Sequence, residues 1–250
     1  MNIAVIFGGK SDEHEVSRNS AVNVIDGLDS DRYEITQIGI TKEGRWYQTE
    51  AVTDEIASGE WENRADNKQV CLPADPTIHG ILVFDDEERA AVIPVMHGDN
   101  GEDGTIQGLF ELAEIPYVGP GVKASANCMD KSFTKIIVGE IGIDQARHCV
   151  IKRKDFTDDR EGEIMNALST NDGKLPLFVK PSSAGSSVGA SKVEKKSELE
   201  TAIENAFKYD DKVLVEEMIV GREMEVAVLG NHNPKASYVG EILSAGEFYD

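Results

Sequence analysis

The run Ile3-Ala4-Val5-Ile6-Phe7, closed by Gly8-Gly9, constrains the fold of this chain more than any other segment. Five consecutive apolar residues leave no polar face. A strand made of them must be covered on both sides, which is the condition of a parallel strand inside an α/β sheet. The glycine pair then opens a turn into a helix whose apolar positions Ala21, Val24, Ile25 and Leu28 share one face, with Gly27 and Asp29 marking its end. Further strands are expected at residues 33–40, at Ile81-Leu82-Val83 and at Ala91-Val92-Ile93-Pro94-Val95, followed by a helix carrying Ile106, Leu109, Phe110 and Ala113. Residues 49–76 are polar and poorly periodic, and read as an insertion of loop and short helix.

The Gly/Pro-rich link at 116–122 sets a boundary between a domain at 1–120 and a region at 121–250. Beyond it the pattern predicts a helix over 123–141 with Met129, Phe133, Ile136 and Ile137 inward. A strand at 147–151 and a charged turn at 152–161 follow. Strands at 175–179 and 190–193, a helix at 197–207, and strands at 213–217 and 224–229 complete the order. An α/β domain followed by an α+β region is the economical reading.

Composition narrows the partners. A net charge of −21 opposes binding to nucleic acid or to an anionic membrane surface. Cys71, Cys128 and Cys149 are odd in number and widely spaced, which suits reduced, buried thiols better than a disulfide frame or a zinc site. A strand begins at once, and no apolar run approaches the ~20 residues of a membrane span. The expected compartment is the cytoplasm.

Three segments carry chemistry. Lys180-Pro181-Ser182-Ser183-Ala184-Gly185-Ser186-Ser187-Val188-Gly189 places a lysine at a strand end before a loop of small residues. Backbone amides in such a loop can crowd around a phosphate. It is not a Walker loop, since the lysine comes first and a strand follows; a flexible Gly/Ser hairpin tip is the alternative. Gly8-Gly9-Lys10-Ser11-Asp12-Glu13-His14-Glu15-Val16-Ser17 sits where α/β sheets bind ligands. Glu15 there could meet a ligand's ammonium group, or simply complete a capping box with Asp12 as N-cap. His97-Gly98-Asp99-Asn100-Gly101-Glu102-Asp103-Gly104 ends another strand and is too rich in glycine to be ordered by its own core contacts. It fails as a calcium loop, and its acidic pair could serve only the helix dipole. Lys131 and Lys135, four apart on one helix, have exposed surface lysines as their usual explanation. Glu216, Glu217 and Glu223 could hydrogen-bond a ribose or an adenine amino group.

In order and spacing these segments resemble the D-alanine–D-alanine ligases of the ATP-grasp superfamily. Joining them are Ile115-Pro116-Tyr117-Val118-Gly119, Met129-Asp130-Lys131 and Gly221-Arg222-Glu223 before Val226-Ala227-Val228-Leu229-Gly230. The resemblance runs along essentially the whole chain. It implies a Rossmann-like, parallel-sheet N-terminal (pre-ATP-grasp) domain followed by an α+β ATP-grasp region. It also implies a two-step ligation in which ATP phosphorylates one D-alanine and the amine of a second attacks the acyl phosphate. Lys131 and Lys180 would then contact ATP phosphates, and Ser186, Ser187 and Val188 would cover them. Glu216, Glu217, Ile219 and Glu223 would line the adenine and ribose pocket. Glu15 would hold the first D-alanine's ammonium, with Ser186 in the same hydrogen-bonded group and His97 near that substrate's carboxylate. The family implies a homodimer and Mg2+ or Mn2+. No metal ligand is assigned in this chain, because Phe248-Tyr249-Asp250 looks like the start of the family's mobile loop and the ligands are expected beyond it. By that reading the region is incomplete at its C-terminus and the chain alone is expected to be inactive. D-lactate or D-serine as second substrate, or a nucleotide- or amino-acid-binding fragment without turnover, are the alternatives.

Overall fold

The computed structural model of the chain describes every residue except 79, 84, 85, 89, 90 and 244–250, with the backbone alone at 83 and 86–88. It divides into two units, Met1–Thr134 and Lys135–Asp250.

In the first unit the apolar N-terminal run forms β1 (Asn2–Gly8), followed by α1 (His14–Gly27) and β2 (Glu34–Ile40). Then come β3 (Trp46–Thr49), α2 (Thr53–Ser58), β4 (Lys68–Cys71), β5 (Ile81–Val83), β6 (Asp86–Glu88) and β7 (Ala91–Pro94). Three helices follow: α3 (Thr105–Leu112), α4 (Val122–Met129) and α5 (Lys131–Glu140), whose last residues belong to the second unit. The strands make one seven-stranded sheet in the order β6-β5-β4-β3-β2-β1-β7. β1 pairs in parallel with β2 and β7, and the remaining pairings are antiparallel. As its sequence requires, β1 is covered on both faces. Ala4 and Ile6 pack with Ile38, Ile106 and Phe110, while Ile3, Val5 and Phe7 pack with Ala21, Ile56 and Trp61.

Two expectations for this unit are corrected. Residues 49–76 do contain the expected short helix, α2, but they are more than an insertion of loop and helix. They add β4 to the sheet and donate Ala51, Ile56 and a fully buried Trp61 to the core. Trp61 meets Phe7 edge-on at 5.3 Å and lies where a side chain at Gly39 would have to be, 2.3 Å from an added Cβ. The anchors are too sparse to give a period. The helix expected over 123–141 is broken at Asp130, whose backbone turns extended and whose carboxylate accepts the Ser132 N–H at 3.0 Å, starting a new helix. Phe133, Ile136 and Ile137, expected inward, are exposed.

The second unit contains β8 (His148–Lys152), α6 (Arg153–Asp158), α7 (Arg160–Ser169), β9 (Leu177–Pro181), β10 (Ser191–Val193), α8 (Leu199–Ala206) and β11 (Lys212–Glu217). Its sheet is antiparallel, in the order β10-β9-β11-β8. Val179, Val213 and Val215 pack on one face against Leu199, Ile203 and Phe207. The charged turn expected at 152–161 is helical; Asp159 accepts the Gly162 N–H and caps α7. β12 (Glu223–Glu225), β13 (Val228–Leu229), β14 (Lys235–Ala236) and β15 (Gly240–Ile242) form two short ribbons, β12 with β15 and β13 with β14. The strand expected over 224–229 is thus interrupted. The segment Phe248-Tyr249-Asp250 lies outside the described residues. All three cysteines are free, but Cys71 and Cys128 are exposed, so the expectation of buried thiols fails for both. No helix among the described residues is long and apolar enough to cross a membrane.

Candidate functional site

Two clusters gather the polar residues, one in each unit. In the first, β1 ends at Gly8, whose φ of 83° and 2.2 Å approach of an added Cβ to the Ile40 carbonyl oxygen admit only glycine. The Gly8 N–H donates to Ser17 Oγ at 2.8 Å, and Ser17 Oγ donates to the Val95 carbonyl at 2.5 Å. A wholly buried serine on α1 therefore ties the tips of β1 and β7 together. Beside it, His14 sits 2.9 Å from the Gly9 carbonyl through Nδ1, which must donate because a carbonyl only accepts.

His97 follows β7 and is held twice, once from the connection between β1 and α1 and once from α1 itself. Its carbonyl accepts from Ser11 Oγ at 2.9 Å, and its Nε2 lies 3.1 Å from Ser20 Oγ on α1. Glu15 projects from the same helix into solvent and meets Lys42 at 2.5 Å. That hydrogen bond holds its carboxyl below the usual carboxylate range. The capping box with Asp12 does not form: α1 starts at His14 with Glu13 as N-cap and no side-chain cap. Glu15 is therefore not consumed by the helix end.

The glycine-rich loop after His97 supplies its own order. Glu102 accepts the Gly98 N–H at 2.8 Å, and Asp103 accepts the N–H groups of Asn100 and Thr105 at 3.0 and 2.9 Å. Buried Gln107 donates to the Gly101 carbonyl at 2.8 Å. The acidic pair shapes the loop as well as facing the start of α3.

In the second unit the two-residue period of β9 and β11 sorts the charges. Val179, Val213 and Val215 take the helix-covered face, so Lys180 and Glu216 share the opposite one. Lys180 Nζ lies 2.7 Å from Glu216 Oε2 and 5.5 Å from the Phe178 ring centroid. Lys135 Nζ approaches Glu216 Oε1 to 3.1 Å, as an ion pair without a directed hydrogen bond. Glu216 is 6% exposed, so one buried carboxylate lies between two ammonium groups. Sequence reasoning treated Lys135 as an ordinary surface lysine. The available signal was its four-residue spacing from Lys131 at a helix turn.

Glu217 points the other way. It accepts from the backbone N–H and guanidinium of Arg147 at 2.8 and 2.9 Å, and these bonds hold its carboxyl below the usual range. Adjacent Glu216 and Glu217 are therefore not in one pocket here. Ile219 is exposed, Glu223 lies on the exposed strand β12, and Lys131 opens α5 in the first unit.

After β9 the loop folds onto itself. Ser183 N–H donates to Asp210 at 2.8 Å, Val188 N–H to the Gly185 carbonyl at 2.9 Å, and Ala190 N–H to the Ser187 carbonyl at 3.0 Å. Ser186 and Ser187 both hold positive φ, 42° and 57°, a conformation that costs non-glycine residues energy and recurs where a backbone is shaped for a ligand.

Known proteins are similar to this chain along its length. The family model for the D-ala D-ala ligase N-terminus matches residues 2–120, and that for the D-ala D-ala ligase C-terminus matches 137–250. A D-alanine--D-alanine ligase of Clostridium novyi is 46% identical across 99% of this chain and 69% of its own length. One of Acetivibrio thermocellus is 47% identical across 99% of this chain and 70% of its own. Among solved structures, the VanG D-Ala:D-Ser ligase from Enterococcus faecalis matches at a TM-score of 0.87 and 40% identity, over 100% of this chain and 71% of that one. The D-alanine-D-alanine ligase from Coxiella burnetii matches at 0.87 and 37%, over 97% and 71%. The fold is the ATP-grasp ligase fold, and with both halves matched in order the chain belongs to the D-alanine–D-alanine ligase family.

Proposed function

We infer that the chain performs its family's reaction, the ATP-dependent, ADP-forming joining of two D-alanines that supplies D-alanyl-D-alanine for peptidoglycan. A carboxylate oxygen of the first D-alanine attacks the γ-phosphorus of ATP and ADP leaves. The amine of the second attacks the acyl carbon, loses its proton, and phosphate leaves. Such transfers are catalysed mainly by positioning and fixed charge.

The observation that carries this reading to particular residues is the Lys180–Glu216 pair beside the compact serine loop. A buried carboxylate keeps the ammonium at the strand end, where phosphate oxygens can exchange for it as partners. We assign the ATP phosphates to Lys131 and Lys180, their cover to Ser186, Ser187 and Val188, and the adenine and ribose to Glu216, Glu217, Ile219 and Glu223. Glu217 must first yield its bonds to Arg147. Glu15 takes the first D-alanine's ammonium, with Ser186 in the same group, and His97 its carboxylate. The domain division at 120, a homodimer and a cytoplasmic location belong to the same proposal. Among the described residues no three His, Cys, Asp or Glu side chains gather to hold a cation. They do not fit the family's Mg2+ or Mn2+, and no step is assigned through one.

The likeness to the VanG D-Ala:D-Ser ligase favours one second reading, D-serine as the second substrate. Incubating the gene product that carries this sequence with ATP, Mg2+ and D-alanine, with and without D-serine or D-lactate, separates the readings by product mass. ADP formation indifferent to D-alanine would refute both.

A further inference from the structure

We propose that Lys135 is a positioning residue for ATP: it holds the Glu216 carboxylate, so that Lys180 can leave that carboxylate for a phosphate. The inference rests on the assignment of Lys180 to the ATP phosphates and adds to it a group that does not touch the nucleotide.

All three groups belong to the second unit. On β11, Glu216 stands between its cross-strand neighbours His148 on β8 and Phe178 on β9, and Lys180 follows two residues after Phe178 on the same face. Lys135 reaches the carboxylate from α5, with its Nζ 3.1 Å from Oε1, and that Nζ also donates to the Ala146 carbonyl at 3.4 Å. The Lys135 carbonyl accepts from Gln145 Nε2 at 2.9 Å. Side chain and backbone therefore both fasten Lys135 to the segment that enters β8. Its side chain is 13% exposed, against 23% for Lys180. The deeper lysine is anchored, and the shallower one faces solvent.

The charges explain why two lysines are needed. A carboxylate as buried as Glu216 is costly without a counter-charge. If Lys180 were its sole cation, a phosphate could recruit that lysine only by leaving the carboxylate bare, and Glu216 would oppose the nucleotide. The second ammonium removes the conflict. When Lys180 gives up its 2.7 Å contact, Glu216 keeps Lys135, and the cluster as a whole still presents positive charge to an anion.

The test uses the gene product that carries this sequence, with a non-hydrolysable ATP analogue and with adenosine, which lacks the phosphates. Lys135→Met keeps the apolar stem and removes the charge, while Glu216 retains Lys180, so the far-UV circular dichroism should be unchanged. Calorimetry should show the ATP analogue binding about tenfold or more weakly. Adenosine, followed by ligand-observed NMR, should bind as before, because without phosphates Lys180 need not leave Glu216. A general disturbance of the unit would weaken both ligands. In a Glu216→Gln background the neutral amide needs no counter-charge, so Lys135→Met should there cost the analogue less than about twofold. Three results would overturn the proposal: an unchanged analogue affinity in Lys135→Met, an equal loss for adenosine, or the full loss persisting in the Glu216→Gln background, which would put Lys135 on the nucleotide itself. Lys180→Ala separates this inference from the reading beneath it. If that variant weakens the analogue and Lys135→Met does not, the role of Lys135 falls alone; if neither does, the phosphate assignment falls with it.

Discussion

Replacing Ser17 with alanine tests the stitch between β1 and β7. The hydroxyl accepts from the Gly8 N–H and donates to the Val95 carbonyl, and the residue is wholly buried, so water cannot replace it. Alanine leaves two buried backbone groups without partners, each costing about 1–3 kcal/mol. The carbonyl is the cheaper of the two, and alanine's better helix propensity returns about 0.5 kcal/mol. The net expectation is a loss of about 2–4 kcal/mol, a fall in Tm of about 4–16 °C at the roughly 2–4 °C per kcal/mol of a domain this size. Both tryptophans, Trp46 and Trp61, lie in the first unit, so urea unfolding followed by tryptophan fluorescence reports that unit alone. D-Alanine affinity should fall as well, because the same helix carries Glu15 and Ser20. A stability loss under about 0.5 kcal/mol would show that the hydroxyl does not lock the strand ends.

Glu15→Gln should keep the fold and lower D-alanine affinity about ten- to a hundredfold, read by calorimetry, because a charge-assisted bond to the ammonium is lost. In the unmodified chain Lys42 holds the Glu15 carboxyl below its ordinary range. Its contribution is therefore complete above that lowered pKa and lost only as pH falls through it, so the ratio of D-alanine affinities between the unmodified chain and Glu15→Gln should stay flat from pH 7 down to about 5. Lys180→Ala should weaken an ATP analogue by about ten- to a hundredfold and leave D-alanine binding alone; an unaltered nucleotide affinity would refute the phosphate assignment. Burial pushes the Cys149 thiol up, whereas Cys71 and Cys128 are exposed. Iodoacetamide at pH 8 should alkylate the latter two first, as peptide mass mapping would show.

The sequence made the frame legible wherever one residue pattern had one physical solution. The Ile3-Ala4-Val5-Ile6-Phe7 run could only be a doubly covered strand, and it is the centre of the parallel part of the sheet. Its glycine exit and the strand-end Lys180 stand where expected. What was not legible depended on partners far along the chain. Nothing local marks Trp61 as a core residue, because its place exists only once Gly39 and Phe7 are side by side. The break at Asp130 was hidden by apolar residues continuing at helical spacing on both sides. Glu216 and Glu217 looked alike as neighbours in sequence, yet strand alternation sends one to a lysine pair and the other to Arg147. Ser17, Ser11 and Ser20 were not singled out, since a serine's role is set by what is carried to its hydroxyl.

The placing of β1 between β2 and β7 also bears on the order in which a ribosome delivers the chain. β2 emerges soon after β1, but β7 and the α3 residues Ile106 and Phe110, which cover Ala4 and Ile6, come about 100 residues later. At translation rates of roughly 5–20 residues per second, the nascent protein carries the open edge of its most apolar strand for about 5–20 seconds. During that interval the strand has hydrogen-bonding groups on one side and bare aliphatic surface on one face, the features that recruit chaperones or foreign strands. Synonymous codons that slow synthesis between β2 and β7 should therefore lower the soluble yield without altering a single residue.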